Sequence, residues 1–130
     1  MNPYVELAGL EHIALEESYV LDVTAKPGEL VVTLDIALAP DHEKYTSPPP
    51  DEVECYKRGT LKFTGVRLLG WHYEGIRPSI DATGEADYGN VDVFHWTADH
   101  YQLEGSFGTL DLTASKVAIT FDDDPIASRQ

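Results

Sequence analysis

Large apolar side chains occupy every second position over most of the last third of the chain. Short polar clusters, typical of turns, divide residues 91–121 into four such segments. Alternation with a period of two predicts strands, and the short turns between them predict an antiparallel meander. One register without a shift places the large apolar side chains on a single face, which we expect to be core, through the pairs Trp96–Tyr101, Phe94–Leu103, Leu103–Leu110 and Leu112–Val117.

The first part of the chain predicts a second hairpin. Apolar residues alternate over residues 19–23, turn-forming residues occupy 25–28, and the alternation resumes over residues 30–38. This register closes on one apolar face through the pairs Val23–Leu30, Leu21–Val32 and Tyr19–Leu34. Upstream, the apolar spacing of residues 5–15 suits a short helix and an extra strand equally well.

Residues 39–54 interrupt the alternation with proline and polar side chains. Pro48, Pro49 and Pro50 have no amide hydrogen to offer a neighbouring strand, and they favour an extended polyproline II shape. The segment is therefore predicted to be a long connection. Connections of this length are usually crossovers between sheets, lids or binding loops.

The chain around Gly65 allows two interpretations. A tight turn at Thr64 and Gly65 would set Lys62 opposite Arg67, and like charges across a strand pair are unfavourable. A bulge at Gly65 within one long bent strand therefore competes with a hairpin.

Two hairpin systems separated by a long connection need two apolar faces that cover each other. The expected fold is all-β, an antiparallel two-layer sandwich or flattened barrel of about eight to ten strands, with a short helix near the N-terminus as an option. A single domain is expected over residues 1–121, because 130 residues lie within the usual range for one domain. Residues 122–130 are predicted to form an acidic, flexible tail.

The charge of the chain restricts its partners. With 23 acidic and 9 basic residues, the formal net charge is −14. Such a chain is repelled by phosphate backbones and anionic lipids, which excludes nucleic acid and membrane surfaces as expected partners. A basic protein, a cation or a neutral small molecule stays open as a partner.

The cysteine content and the apolar runs indicate a compartment. Cys55 is the single cysteine, so the chain has no internal disulfide, as a reducing cytosol permits. The sequence contains neither an apolar run long enough to span a membrane nor an N-terminal signal pattern. A cytoplasmic location is therefore expected.

An acidic segment at residues 81–92 is the candidate metal site. Its oxygen-bearing side chains alternate around Gly84, a spacing that lets them converge on a hard cation, although the EF-hand pattern is absent. A hairpin turn at Gly89 and Asn90 would also oppose two of these carboxylates, and either a bound cation or a different register would relieve that repulsion. Calcium is the only cofactor indicated, and a purely structural acidic hairpin is the alternative. The candidate ligands are Asp81, Glu85, Asp87 and Asp92.

Two further groups of residues are candidate binding sites. The large apolar side chains of the meander lie on one face, which we call the aromatic stripe. On the opposite face, His95 is expected beside Gln102, and Gln102 beside Asp111. Such a row either binds a polar ligand, with acid–base chemistry as an option, or is the solvated side of a sheet. His42 and Tyr45 offer adaptable contacts within the proline-rich segment. We assign no catalytic residue, since the motifs of zinc, phosphate-binding and serine-nucleophile sites are missing.

Three stretches of the chain, residues 34–56, 81–94 and 101–105, together resemble a family of small uncharacterised bacterial proteins. The resemblance extends from Tyr19 to about Leu112. It implies a bacterial, single-domain, cytoplasmic protein, and it implies no activity and no functional residues.

The sequence favours a non-catalytic binding or protein-interaction module. An immunity-like or antitoxin-like role, with a basic partner attracted by the negative charge, is one concrete version. The alternative is a calcium-dependent ligand binder or hydrolase that uses residues 81–92 and the nearby histidines.

Overall fold

The computed structural model of the chain describes residues 1–73, 79–80 and 86–122. After a 3₁₀ turn at Tyr4–Glu6, which follows the first short strand, nearly all regular structure is β. The strands are β1 (Asn2–Pro3), β2 (Ile13–Lys26), β3 (Glu29–Leu38), β4 (Cys55–Thr64), β5 (Leu68–His72), β6 (Ser79–Ile80), β7 (Ala86–Asp87), β8 (Val91–Thr97), β9 (His100–Gly105), β10 (Gly108–Thr113) and β11 (Lys116–Phe121).

Two antiparallel sheets form a sandwich, as the sequence predicts. The five-stranded sheet has the order β1-β8-β9-β10-β5, the four-stranded sheet has the order β11-β4-β3-β2, and β6 pairs with β7. The sandwich, rather than the flattened barrel, is the architecture of the chain. No helix among the described residues is long and apolar enough to cross a membrane.

The core lies between the inner faces of the two sheets. Phe63 of the four-stranded sheet contacts Tyr101 and Phe94 of the five-stranded sheet, with ring centroids 5.2 and 6.1 Å apart. Leu103 and Leu110 are fully buried, as predicted for the aromatic stripe. Trp96 is only half-buried, and its indole N–H donates to the Pro3 carbonyl at 3.0 Å.

The predicted meander is confirmed for β8, β9 and β10. Trp96 opposes Tyr101, and Leu103 opposes both Phe94 and Leu110. The predicted pair Leu112–Val117 is wrong, because β11 leaves the five-stranded sheet and pairs with β4. Both inner faces of a sandwich are apolar, so the alternation fixes which face a strand buries but not which strand it joins.

The predicted register of the first hairpin is also wrong. The turn contains only Pro27 and Gly28, since Lys26 already pairs with Glu29, and Val23 therefore opposes Val32 instead of Leu30. Gly28 supplies the positive φ of +79° that such a short turn requires. Bulges farther along β2 shift the phase again, so that Val20 is buried and Tyr19 is 39% exposed.

The chain changes sheets at places that differ from the prediction. Residues 39–54 join β3 to β4, which are neighbours in one sheet, so this segment is a long hairpin connection and not a crossover. One change of sheet, from β4 to β5, lies at Gly65, which has a φ of +63°, and both interpretations offered for Gly65 are wrong. The next two amides bind different sheets: Val66 N–H donates to Gly28 O, and Arg67 N–H to Thr113 O.

The remaining fold predictions concern the two ends of the chain, residues 5–15 and 122–130. The segment 5–15 forms no further helix after the 3₁₀ turn, and its last three residues belong to β2. Of the predicted tail, only Asp122 is among the described residues, and its N–H donates to the Arg58 carbonyl at 2.9 Å.

Candidate functional site

The predicted polar row lies on the outer face of the five-stranded sheet. His95 opposes Gln102 and Gln102 opposes Asp111, so β8, β9 and β10 bring the three side chains together in adjacent positions. His95 and Asp111 are exposed, whereas Gln102 is half-buried between them. His100, at the start of β9, reaches the same place, and its Nε2 hydrogen-bonds to the Asp111 Oδ1.

Within its described strands, this sheet carries carboxylates and no fixed positive charge, and Arg67, directly before β5, is paired with Asp99 in the turn between β8 and β9. Asp92, Glu104 and Asp111 are the acidic residues in the strands of the five-stranded sheet, and those described strands contain no Lys or Arg. A hollow of about 490 Å³ extends the row beyond Glu104 toward Asp92, His72 and Thr109. We call the surface that comprises Asp92, His95, His100, Gln102, Glu104 and Asp111 the acidic face.

The four-stranded sheet differs sharply in its charges. Its strands carry five acidic and five basic residues: Glu16, Glu17, Asp22, Glu29, Asp35, Lys26, Lys57, Arg58, Lys62 and Lys116. Several of these charges are paired, since Arg58 Nε lies 2.7 Å from Asp35 Oδ1 and Lys62 Nζ lies 3.2 Å from Glu29 Oε2. The hydrogen bond from Lys62 lowers the pKa of the Glu29 carboxyl. The two outer surfaces of the sandwich therefore offer a partner different electrostatics.

The acidic segment does not form the predicted hairpin. Asp87 lies in β7 and pairs with β6, and the backbone of Tyr88 and Gly89 hydrogen-bonds to Val20 of β2. The free edge of β2 supplies these backbone bonds, so the chain does not turn back at Gly89. Asp87 and Asp92 consequently do not oppose each other, and the repulsion that favoured a bound cation is absent.

The candidate metal ligands are only partly described. Asp81 and Glu85 lie outside the described residues. Asp87 Oδ1 accepts the Gly89 N–H at 2.8 Å, and Asp92 borders the hollow on the acidic face. Within the described part of the chain, no group of three or more His, Cys, Asp and Glu side chains is arranged to hold a metal ion.

The two candidates in the proline-rich segment serve as packing contacts. Tyr45 is half-buried against the core. His42 Nδ1 accepts the Lys44 N–H at 3.0 Å, and its ring meets Phe121 edge to face with centroids 5.4 Å apart. A cleft lined by His12, Asp41, His42 and Phe121, among others, lies beside His42, and it shares no described residue with the hollow on the acidic face.

Sequence reasoning did not assign two histidines, His100 and His12, to these surfaces. His100 joins the polar row because diagonal neighbours on adjacent strands lie within reach of a long side chain, a signal that the predicted register already contained. His12, whose Nδ1 lies 2.8 Å from Asp41 Oδ2 in the cleft beside His42, depends on a loop conformation with a φ of +67° that no periodicity indicates.

Comparisons of the chain with protein-family models, with curated proteins and with solved structures found no match.

Proposed function

We propose that the protein is a non-catalytic binding module that recognises a basic protein through its acidic face. The observation that carries the proposal is the uneven distribution of charge between the two sheets. The described strands of the five-stranded sheet have three carboxylates and no Lys or Arg, whereas the strands of the four-stranded sheet are balanced. A surface of one sign steers an oppositely charged partner and fixes its orientation.

The chemistry of the acidic face suits donors on a partner. Lysine and arginine side chains present three and five N–H donors, respectively, and need acceptors. Asp111, Glu104 and the amide oxygen of Gln102 supply acceptors in adjacent positions on neighbouring strands. His100 and Asp111 are both substantially exposed, with 40% and 55% of their side-chain surfaces accessible, so water is not excluded as it is in most active sites. These features support recognition over catalysis.

The concrete role that we propose is immunity-like or antitoxin-like: capture of a basic effector protein in the bacterial cytoplasm. The net charge of −14 supports it, because long-range attraction accelerates capture. Cys55, the single cysteine, is buried and unpaired, which is compatible with a reducing compartment.

Chemical-shift mapping by NMR tests where a basic ligand binds. Isotope-labelled protein is titrated with a lysine-rich peptide at low salt. We expect the largest backbone amide shifts at Gln102, Glu104 and Asp111. Asp51 and Glu52, exposed acidic residues of the proline-rich segment, are the internal control for non-specific attraction. Shifts at the control residues as large as those on the acidic face would contradict the proposal.

A further inference from the structure

A third, smaller pocket opens between the edges of the two sheets. Its volume is about 240 Å³. β2 of the four-stranded sheet contributes one wall, and β5 of the other sheet, with Tyr73 directly after it, contributes the opposite wall. We call it the aromatic pocket, and its lining residues are Asp22, Val23, Trp71, Tyr73, Tyr88 and Phe107.

Backbone contacts hold the aromatic walls in place. The Trp71 indole N–H donates to the Phe107 carbonyl at 2.9 Å, and the Tyr73 ring lies beside the indole with centroids 5.5 Å apart. The backbone N–H of Tyr88 donates to Val20 O at 2.7 Å. Gly108 allows the close approach, since a Cβ there would lie 2.9 Å from Tyr73 Cβ and 3.1 Å from Trp71 Nε1.

The described lining of the pocket combines aromatic rings with one carboxylate, that of Asp22. The faces of Trp and Tyr rings attract cations. Asp22 Oδ2 accepts the Thr24 hydroxyl at 2.5 Å, and Asp22 Oδ1 accepts no hydrogen bond from the described part of the chain. None of the described residues that line the pocket is a Lys or Arg. The electrostatics therefore favour an occupant with a positive charge.

We propose that the aromatic pocket binds an alkylated ammonium group, such as a trimethylammonium head. A primary ammonium has three N–H donors, and Asp22 supplies the one carboxylate among the described lining residues, so any donor that faces the rings lacks an acceptor, which is costly. A trimethylammonium group has no N–H and offers its methyl groups to the rings. Pockets for drug-sized ligands have volumes of about 300–1,000 Å³, so a smaller pocket suits a head group better than a whole nucleotide or sugar.

The proposal does not rest on the proposed function. The aromatic pocket shares Tyr73 with the hollow on the acidic face, but Asp92, Glu104 and Asp111 do not line it, so each proposal stands if the other fails.

Tryptophan fluorescence with choline as the probe tests the proposal. The chain has two tryptophans, so in Trp96→Phe protein the emission reports Trp71 alone. We expect choline to change this emission with a saturable, millimolar dependence. Its uncharged isostere, with a tert-butyl group in place of trimethylammonium, should bind about five- to thirtyfold more weakly, as expected for a cation–π contribution of about 1–2 kcal/mol.

Side-chain substitutions in the same background locate the site. Asp22→Asn and Tyr73→Leu should each weaken choline binding by about three- to tenfold, as expected for one charge or one ring. Tyr73 is 56% exposed, so its replacement leaves the core intact. Tyr19→Leu is the matched control, because Tyr19 is also exposed and packs against Tyr56 outside the pocket. No response to choline, equal affinity for the uncharged isostere, or equal loss in the control would overturn the proposal.

Discussion

At the scale of single residues, Tyr4 shows how one side chain fixes a segment whose sequence is ambiguous. Its hydroxyl accepts the Leu15 N–H at 3.0 Å and lies 2.7 Å from the Glu16 carboxylate, and its ring stacks on Phe94 at 5.8 Å. These contacts tie the 3₁₀ turn to the start of β2. Apolar spacing alone could not indicate them, because a hydroxyl bonded to a backbone amide leaves no periodic signal.

Tyrosine burial predicts a loss of stability at alkaline pH. Burial raises the pKa of Tyr4, Tyr56 and Tyr101, and the nearby Glu16 carboxylate adds to the shift at Tyr4. In the unfolded state, tyrosines ionise at about pH 10, whereas these three keep their protons in the folded state. The unfolded state therefore binds fewer protons than the folded state above that pH. The free energy of unfolding should therefore fall as the pH rises beyond about 10.

Thermal unfolding of variants checks that effect. Tyr4→Phe and Tyr56→Phe should each reduce the slope of Tm against pH in the alkaline range, because each removes one proton that the folded state retains. Tyr4→Phe should also lower Tm at neutral pH, since it leaves the hydrogen bond to Leu15 unmade. An unchanged alkaline slope in both variants would show that these tyrosines are not the cause.

At the scale of elements, periodicity determined which face each strand buries but not every partner. The β8–β9–β10 meander was predictable because each short turn places the following strand directly beside the preceding one. β11 fits either sheet by its pattern, and Ser115 N–H, bonded to Thr64 O at 3.0 Å, sets its course to β4. The bulges in β2 leave no signal in an alternating pattern, so the predicted register failed there.

A candidate site could be predicted only where the strand pairing that positions its residues was predicted correctly. The row His95–Gln102–Asp111 follows from one meander and was placed correctly. The aromatic pocket joins Asp22 of one sheet to Trp71 of the other. To predict this pocket, one would need to know which strands form each sheet and how the two sheets pack together. The alternation of apolar residues gives neither.

The proline-rich connection gives a prediction for an element. Ser47, Pro49 and Pro50 are exposed, whereas Tyr45 packs against the core. Deletion of residues 47–50 should change the free energy of unfolding by less than about 1 kcal/mol, because closure entropy depends weakly on loop length. Tyr45→Ala should cost more, about 2 kcal/mol, by removing a half-buried ring. Chemical denaturation measures both, and unfolding of the deletion variant would identify the segment as a structural strut.

At the scale of the whole molecule, the distribution of charge matters more than its sum. The net charge of −14 was readable from composition. The separation was not, because it depends on β4 and β11 lying in one sheet with their basic residues Lys57, Arg58, Lys62 and Lys116. Had β11 continued the meander, Lys116 would belong to the sheet that carries the acidic face.

The most direct test of the acidic face compares two charge-matched triple variants for affinity to a lysine-rich peptide by calorimetry. One carries Asp92→Asn, Glu104→Gln and Asp111→Asn. The control carries Glu17→Gln, Asp51→Asn and Glu52→Gln, all at exposed positions outside the face. Each removes three negative charges, so the net charge of both becomes −14 + 3 = −11.

If the acidic face is the binding surface, the first variant should bind the peptide at least about tenfold more weakly than the native protein. The affinity of the control variant should fall by less than about threefold. Equal weakening of the two variants would mean that only the net charge attracts the peptide, and it would contradict the proposed function.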